Sequence, residues 1–359
     1  MARIPRVWAR RLMRLGRRLA YGPVMILMAG HPQGVDVLER CGGTWRARTS
    51  LDGVSVTCLA AHPRVVGRVY AGTRDRGVLR SDDRGTTWRP AGLAGRIVTS
   101  IAVSRSADDV VYAGTKPAGV CVSRDGGARW QELEGFRSAR RWYWWSPAEP
   151  PDFRAYVMGL GVSPTDPDVV VAGIEFGAVV RSADGGRTWS DHRRHADLDC
   201  HALTFHTHDG RWVYEAGGGG PAVSRDGGER WTHSLTGLGT RYAMAVAADP
   251  ARPEVWYVAT APLWDVRALL RGPVGHTEGA ARAGVYRSSG GAPWERLAGG
   301  LPQPIDHPPY GLATDPDAPG HVYLGLSHGT LWHSADHGDS WEELPERVRG
   351  VRRTLVVAP

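Results

Sequence analysis

Histidines and acidic residues cluster in one short stretch of this chain. Three histidines and two aspartates lie there: His192, His195, His201, Asp197 and Asp199. Imidazole and carboxylate groups are common ligands of transition metals, so these histidines are weak candidates for a metal site, with His31 as a further ligand. Solvent-exposed loop histidines are the simpler interpretation. We therefore expect no metal and no other cofactor.

Carboxylates that could act as an acid and a base are few on the face that carries the long loops. They are Asp75, Glu175, Asp199, Asp265, Glu278 and Asp306. Most glycosidases use two carboxylates at a defined separation, and no two of these form a recognisable pair. Glu175 is the one candidate for a catalytic residue, and whether the protein is an enzyme stays open.

Aromatic residues are concentrated between residues 131 and 155, in a loop flanked by prolines. The run Arg140-Arg-Trp-Tyr-Trp-Trp145 brings Trp142, Trp144 and Trp145 together. Exposed aromatic rings stack well on sugars, bases and peptides. The run is therefore a candidate platform for a ligand or partner, and a loop folded onto itself is the alternative.

A repeated turn motif, Ser-x-Asp-x-Gly-x-x-Trp, indicates the elements that position these residues. Its five intact copies end at Trp88, Trp130, Trp189, Trp231 and Trp341. Two altered copies end at Trp45, with Arg40 in place of Asp, and at Trp294, one residue short. Most spacings are 42–47 residues, and two are 59 and 63. The short spacing matches a four-stranded propeller blade, and the long ones a blade with an insertion.

The two ends of the chain complete the pattern. Each blade is predicted to have four strands, with the inner strand first. The chain starts on a second-type strand, Val24 to Gly30, and ends on an inner-type strand, Leu355 to Pro359. Pairing the two closes the ring and removes the exposed sheet edges. The sequence predicts an all-β fold, a single seven-bladed propeller over 24–359, with a basic arm, 1–23, outside it.

These turns resemble the Asp-box, or BNR, repeat of bacterial sialidases, xyloglucan-cleaving glycosidases, sortilin-type receptors and a photosystem II assembly factor. The resemblance covers nearly the whole chain from residue 24. It implies a propeller but no single function, because these families share little else. It also places the boxes on the face opposite the binding site. The five box aspartates are therefore expected to be structural: Asp83, Asp125, Asp184, Asp226 and Asp336.

The other face should carry the site, because long loops on a rigid scaffold are the usual place of function. Both insertions, 131–155 and 262–283, fall there, the second with Trp264, Asp265, His276 and Glu278. The ligand-binding candidates are His31, Arg74, Trp142, Trp144, Trp145, Glu175, His201, Tyr242, Tyr310, His328 and Arg353. The pair His206-x-His208 is expected on the opposite face, apart from His201.

Two functions compete. The first is a non-catalytic propeller that binds a protein or a glycan on the loop face. The alternative is a glycoside hydrolase, sialidase-like or xyloglucanase-like, with its active site there. Sialidases are typically six-bladed and need an arginine triad, which cannot be assigned here, and xyloglucanases pair two propellers. Two carboxylates about 5–10 Å apart would favour a hydrolase, and an isolated Glu175 would weaken that alternative.

The charge and composition of the chain limit the classes of partner that we expect. The net charge is +7, and seven arginines lie before residue 19, so the rest is near neutral and no specific nucleic-acid binding is expected. The apolar run Val24 to Ala29 is too short to span a membrane. We expect a cytoplasmic monomer, with export through a basic leader as the alternative. Cys41, Cys58, Cys121 and Cys200 form no CxxC pair, which favours buried, reduced thiols.

Overall fold

A computed structural model describes residues 25–139, 141, 144–146, 152–263, 274–352 and 354–358. Strands dominate these residues, since the repeated Val-Tyr-Ala-Gly segments combine β-branched and aromatic side chains that suit a pleated sheet. The strands form seven small antiparallel sheets arranged in a ring. The fold is a seven-bladed β-propeller, as predicted.

The first four blades contain the following strands. Blade 1 has β1 (Met25–His31), β2 (Gly34–Cys41), β3 (Thr44–Ser50) and, at its inner edge, β27 (Thr354–Ala358). Blade 2 has β4 (Val56–Ala61), β5 (Val69–Thr73), β6 (Val78–Ser81) and β7 (Arg89–Pro90). Blade 3 has β8 (Ile97–Val103), β9 (Val111–Lys116), β10 (Gly119–Ser123) and β11 (Gln131–Glu132). Blade 4 has β12 (Val157–Val162), β13 (Val170–Ile174) and β14 (Val179–Ser182).

The last three blades are regular. Blade 5 has β15 (Cys200–Phe205), β16 (Val213–Gly217), β17 (Ala222–Ser224) and β18 (Thr232–His233). Blade 6 has β19 (Tyr242–Ala248), β20 (Val255–Ala261), β21 (Gly284–Ser289) and β22 (Glu295–Leu297). Blade 7 has β23 (Gly311–Thr314), β24 (Val322–Gly325), β25 (Leu331–Ser334) and β26 (Glu342–Glu343). The helices are α1 (Glu134–Ala139) and a 3₁₀ turn (Val274–His276).

The ring is closed by the two ends of the chain. β27 pairs antiparallel with β1, from Ile26 opposite Ala358 to Gly30 opposite Thr354. The inner strands β4, β8, β12, β15, β19, β23 and β27 contact one another in succession around the channel, and β27 contacts β4 again. The predicted closure is confirmed, and it accounts for the apolar run near the N-terminus as a central strand of blade 1.

Buried tyrosines of the second strands tie blades 2, 3 and 5 each to the next blade. Tyr70, Tyr112 and Tyr214 are fully buried. Their hydroxyls donate to main-chain carbonyls of the following blade, Tyr112 to Pro167 at 2.9 Å and Tyr214 to Pro253 at 2.6 Å. Burial of such a ring is favourable only when its hydroxyl is paired. One residue type thus supplies apolar packing and a fixed blade-to-blade contact.

Blade 4 departs from the predicted four strands, because the described residues form three. The Ser190 and Arg193 N–H groups donate to the Arg181 and Val179 carbonyls at 2.8 Å, and side chains supply the acceptors for two N–H groups of β14. The Ser190 Oγ accepts a hydrogen bond from the Arg181 N–H at 3.0 Å, and the His192 Nδ1 accepts one from the Val179 N–H at 3.1 Å. The sheet edge is therefore satisfied without a regular ladder. His192 acts here as an edge partner.

The insertion after β11 is partly folded into the core. Phe136 of α1 is fully buried, and its ring packs 5.2 Å from Trp189 and 6.0 Å from Trp144. The predicted basic arm, Trp264 and Asp265 lie outside the described residues. No helix among the described residues is long and apolar enough to cross a membrane. All four cysteines are unpaired, and Cys41 is exposed, contrary to the expectation of buried thiols.

Candidate functional site

The five intact Ser-x-Asp turns share one set of hydrogen bonds. In each, the serine Oγ accepts the N–H of the glycine four residues on, at 2.8 Å. The aspartate accepts a backbone N–H four residues on, from Thr87 at 2.8 Å to Ser340 at 2.9 Å. The carboxylates are therefore occupied by their own turns, and five equivalent copies offer no distinct site.

Two of these aspartates, Asp184 and Asp336, are held ionised by their own turns. Side-chain and backbone donation from Thr188 lowers the pKa of Asp184 to about 2, and donation from Ser340 does the same for Asp336. The adjacent tryptophans pack towards the preceding blade, where the Trp130 Nε1–H donates to the Ala91 carbonyl at 2.6 Å. These contacts stabilise the ring.

At the other end of the channel the inner strands begin, and a pocket of about 260 Å³ opens there. The alternating strand directions put it opposite the Ser-x-Asp turns. Its lining comes from blades 4 to 7 and from the segment before β27: Met158, Glu175, His201, Tyr242, Met244, His276, Tyr310 and Arg352. The first residues of inner strands and the long insertion of blade 6 thus converge on one cavity. We call this cavity the upper pocket.

A chain of rings forms one wall of the upper pocket. The Tyr242 hydroxyl is 2.9 Å from the His276 Nε2, and the Tyr310 hydroxyl is 2.7 Å from the His276 Nδ1. The His276 ring stacks on Tyr310 with 5.7 Å between centroids. The Arg352 guanidinium lies 5.9 Å from the Tyr310 ring centroid. Both phenol groups are therefore engaged with one imidazole, and all three rings belong to the cavity lining.

His201 is fixed from two sides. Its Nδ1 donates to the Ala243 carbonyl at 2.7 Å, and its Nε2 lies 3.2 Å from the Asp199 carboxylate, with the side chain 6% exposed. Burial disfavours the charged imidazole, but Asp199, the Ala243 carbonyl and Glu175 outweigh burial and raise the pKa of His201. His201 is therefore held in the pocket wall by a main-chain carbonyl on one side and the Asp199 carboxylate on the other.

Glycines make room for the acidic residues behind His201. A Cβ on Gly217 would lie 2.7 Å from the Cβ of Asp197. The Asp197 carboxylate accepts hydrogen bonds from the Asp199 N–H at 3.0 Å and the Gly219 N–H at 2.6 Å. The glycine run 217–220 is thus part of the support of the site, because a Cβ on Gly217 or Gly219 would collide with Asp197 and one on Gly218 with Asp199.

Glu175 follows β13 and lies in the pocket wall. The Ser146 Oγ–H donates to its Oε2 at 2.7 Å, and its side chain is buried. Of the described residues that line the upper pocket, Glu175 is the one carboxylate. Ser146 comes from the insertion after blade 3, so this loop positions the acidic group.

A second depression of about 190 Å³ lies beside the upper pocket and shares Arg352 with it. Arg74 and Lys116 line it together with Thr57, Thr99 and Tyr156. The Lys116 Nζ donates to the Asp152 carbonyl at 3.0 Å and lies 5.3 Å from the Tyr156 ring centroid. One depression is therefore lined by cationic side chains and the other by rings and a carboxylate.

Exposed apolar side chains adjoin the upper pocket. Trp145 is 48% exposed, and its ring centroid lies 5.6 Å from that of Phe176. The Phe153 carbonyl accepts the Ser146 N–H, and the Leu198 carbonyl accepts the Gly177 N–H, which brings both residues to this surface. We call Trp145, Phe153, Phe176 and Leu198 the apolar patch. Trp144, by contrast, is 5% exposed and belongs to the core.

Comparison with solved structures returns other propellers. An ancestral GH74 enzyme matches with a TM-score of 0.60 at 18% identity, over 88% of this chain and 40% of that one. The GH74 xyloglucanase from Xanthomonas campestris matches with a TM-score of 0.59 at 19% identity, over 80% of this chain and 45% of that one. The protein YCF48 bound to D1 peptide matches with a TM-score of 0.54 at 14% identity, over 83% of this chain and 85% of that one.

The likeness shows the fold alone. The chain spans less than half the length of the two GH74 proteins and most of YCF48. No protein-family model matches the chain. No curated protein matches it either.

Several predicted candidates lie away from the upper pocket. His31 is 2% exposed and lies 3.3 Å from the Asp36 carboxylate. The His328 ring stacks on His307 at 3.6 Å, and its Nε2 contacts the Thr330 hydroxyl at 2.8 Å. Trp142 and Arg353 fall outside the described residues. Arg74 lines the second depression. Of the predicted set, Glu175, His201, Tyr242 and Tyr310 come together in the upper pocket.

The weak metal candidates do not assemble. No group of three or more His, Cys, Asp or Glu among the described residues could hold a metal ion. His192 supports the edge of blade 4, and His195 has a left-handed backbone with φ of 64°. His206 lies past the other end of β15, where its Nε2 donates to the Asp249 carbonyl at 3.0 Å. His206 and His201 thus lie at opposite ends of one strand.

Sequence reasoning missed several residues of the site. Arg352 lines both depressions, and Ser146 orients Glu175. The sequence places His276 in a loop and gives no indication that two tyrosines would bond its ring. The glycine run 217–220 was the one available signal, because four consecutive glycines in a loop point to close packing against neighbours.

Proposed function

We propose that the chain is an Asp-box propeller without catalytic activity, and that it binds a protein ligand as an extended segment over the upper pocket and the apolar patch. The continuity of these two surfaces carries the proposal. Glu175 and Ser146 bond to each other in the pocket wall, and their chain neighbours Phe176 and Trp145 pack together in the patch. A ligand that fills the pocket therefore meets the patch at once.

The exposure of the patch favours a protein over a sugar. Five large apolar side chains of the described residues are substantially exposed, and four of them form the apolar patch. Grouped apolar exposure of this kind marks surfaces that bind other proteins. Charged groups rim it, including the Arg154–Asp152 ion pair at 2.8 Å. An apolar centre with a polar rim is the usual make-up of a protein interface.

The similarity to YCF48 is consistent with a peptide ligand. That propeller was solved with a D1 peptide bound, and the two chains match over most of their lengths. The fold is thus compatible with peptide binding by one propeller.

The hydrolase alternative has less support. Glycosidases mostly need two carboxylates flanking the scissile bond, and the described lining of the upper pocket holds Glu175 alone. A second acid would have to be Asp199, which is engaged with His201 at 3.2 Å. The GH74 proteins are also more than twice as long as the region matched.

The test is selection of short random peptides, displayed on phage, against the full chain. We expect binders whose affinity falls at least about tenfold on Trp145→Ser or Phe176→Ser, as for central interface aromatics. Val66→Ser is the matched control, because Val66 is 61% exposed but lies outside the patch, in the loop after β4. Binders unaffected by the patch variants would contradict the proposal, as would hydrolysis of xyloglucan oligosaccharides that Glu175→Gln abolishes.

A further inference from the structure

In the aromatic wall of the upper pocket, the tyrosine hydroxyls already have a hydrogen-bond partner. His276 binds the Tyr242 and Tyr310 hydroxyls, one on each of its nitrogens. The His201 ring packs edge-on to Tyr242 at 4.6 Å, which extends the wall. Burial, together with Asp199 and Glu175, raises the pKa of Tyr242, so the phenol stays neutral. The cavity wall is therefore rich in aromatic rings, and the negative π-electron density of such rings attracts cations.

Glu175 supplies a negative charge to the same cavity. Its Oε2 accepts the Ser146 hydroxyl at 2.7 Å, and its side chain is buried beside the rings. A carboxylate removed from bulk water interacts strongly with an opposite charge that enters the site. Rings and a carboxylate together make a site for a compact cation.

Arg352 shows that the wall accepts a cation. Its guanidinium lies 5.9 Å from the Tyr310 centroid, and the residue is exposed at the junction of the two depressions. The adjoining depression holds Arg74 and Lys116 as well. A cationic group of a ligand would meet Arg74, Lys116 and Arg352 there, whereas in the upper pocket Arg352 is accompanied by the Glu175 carboxylate.

We propose that the upper pocket binds the positively charged side chain of a lysine or arginine in the ligand, between the rings of Tyr242, His276 and Tyr310 and the Glu175 carboxylate. This inference rests on the proposed function, since it names the side chain that anchors the bound segment. The apolar patch then takes flanking apolar side chains, and the anchor sets the register of the segment. The anchor contributes specificity, because an uncharged side chain would bring no opposite charge to the buried carboxylate, which then keeps only the Ser146 hydroxyl as its hydrogen-bond donor.

The direct test compares two small probes, Nα-acetyl-lysine methylamide and its norleucine analogue, by ligand-detected NMR with the full chain. The analogue keeps the aliphatic stem and lacks the charge. We expect the lysine probe to bind at least about tenfold more tightly, and Glu175→Gln to abolish that difference. Glu278→Gln is the control, because Glu278 pairs with His307 at 2.8 Å outside the pocket lining. Equal binding of the two probes would overturn the inference.

A second variant tests the role of Arg352. Arg352→Ala removes the competing guanidinium, so the lysine probe should bind more tightly, and weaker binding would contradict a cation site. Selected peptides separate the two proposals. If they bind through the patch but tolerate lysine-to-norleucine replacement, the anchor is wrong and the protein-binding function stands. If no peptide is selected and no probe binds, both proposals fail.

Discussion

At one end of the ring, five turns repeat the same 2.8 Å bond between a serine and a glycine. At the other end, blades 4 to 7 line the upper pocket with methionine, glutamate, histidine and tyrosine side chains, from Met158 in blade 4 to Tyr310 before blade 7. The same strands connect the two ends. The repeated end holds the blades together, and the varied end is free to differ because the repeated end carries the stability.

Two histidines at the ends of one strand show the same contrast. His201, near the start of β15, faces Asp199, while His206, past its end, donates to a neutral carbonyl. Both histidines belong to the same strand or its end, but their electrostatic surroundings differ. His201 is thus paired with a carboxylate at the pocket end, whereas His206 meets an uncharged carbonyl at the turn end.

The largest effect should come from replacing one tryptophan at each end of the ring by alanine. Trp231 is 3% exposed and packs with Val171 of the preceding blade. Trp231→Ala should cost about 3–5 kcal/mol of unfolding free energy, because it leaves a cavity between blades. Trp145→Ala should cost about 0.5 kcal/mol, as for exposed sites, but should weaken the selected peptides. Urea unfolding measures the stability of both variants, and peptide titration measures their affinity. Similar losses of stability in the two variants would contradict the difference between the two ends.

A smaller effect concerns acid stability at the turn end. The depressed pKa of Asp184 and Asp336, about 2 against an ordinary 3.8, arises from donation by Thr188 and Ser340. Their stabilisation is present above pH 3.8 and is lost as the pH falls towards 2. The double variant Asp184→Asn, Asp336→Asn should therefore lose less stability than the parent on going from pH 4.5 to 2.5, measured by urea unfolding. An equal loss of stability in the double variant and in the parent over this pH range would contradict the assignment.

The smallest effect is the separation of the two histidines on titration. Burial lowers the pKa of His206, whereas Asp199 and the Ala243 carbonyl raise that of His201 despite its burial. His201 therefore stabilises the fold below pH 6.5, and this is lost as the pH rises through its folded pKa. The contribution of His206 is present above 6.5 and is lost on acidification. NMR titration should place the two midpoints on opposite sides of 6.5. Asp199→Asn should lower that of His201 alone, and a matching shift of His206 would contradict the assignment.

The fold could be predicted because its signals are local and periodic. Each Ser-x-Asp turn closes bonds between residues two to four positions apart, so spacing alone identified the turns and counted the blades. Ring closure followed from two unmatched strands, Met25–His31 and Thr354–Ala358. The missing fourth strand of blade 4 could not be foreseen, because its edge is satisfied by the Ser190 and His192 side chains.

By itself, then, the sequence determined seven blades, the closed ring and the end at which the turns lie, since short-range hydrogen bonds and strand periodicity encode them. Only the tertiary structure decided the pocket. It joins Glu175, His276 and Arg352 from separate parts of the chain, buries Trp144 while exposing Trp145, and encloses His276 between two tyrosines. Such contacts depend on loop conformations and on the register of inner strands around the channel. No spacing within one repeat specifies either of these.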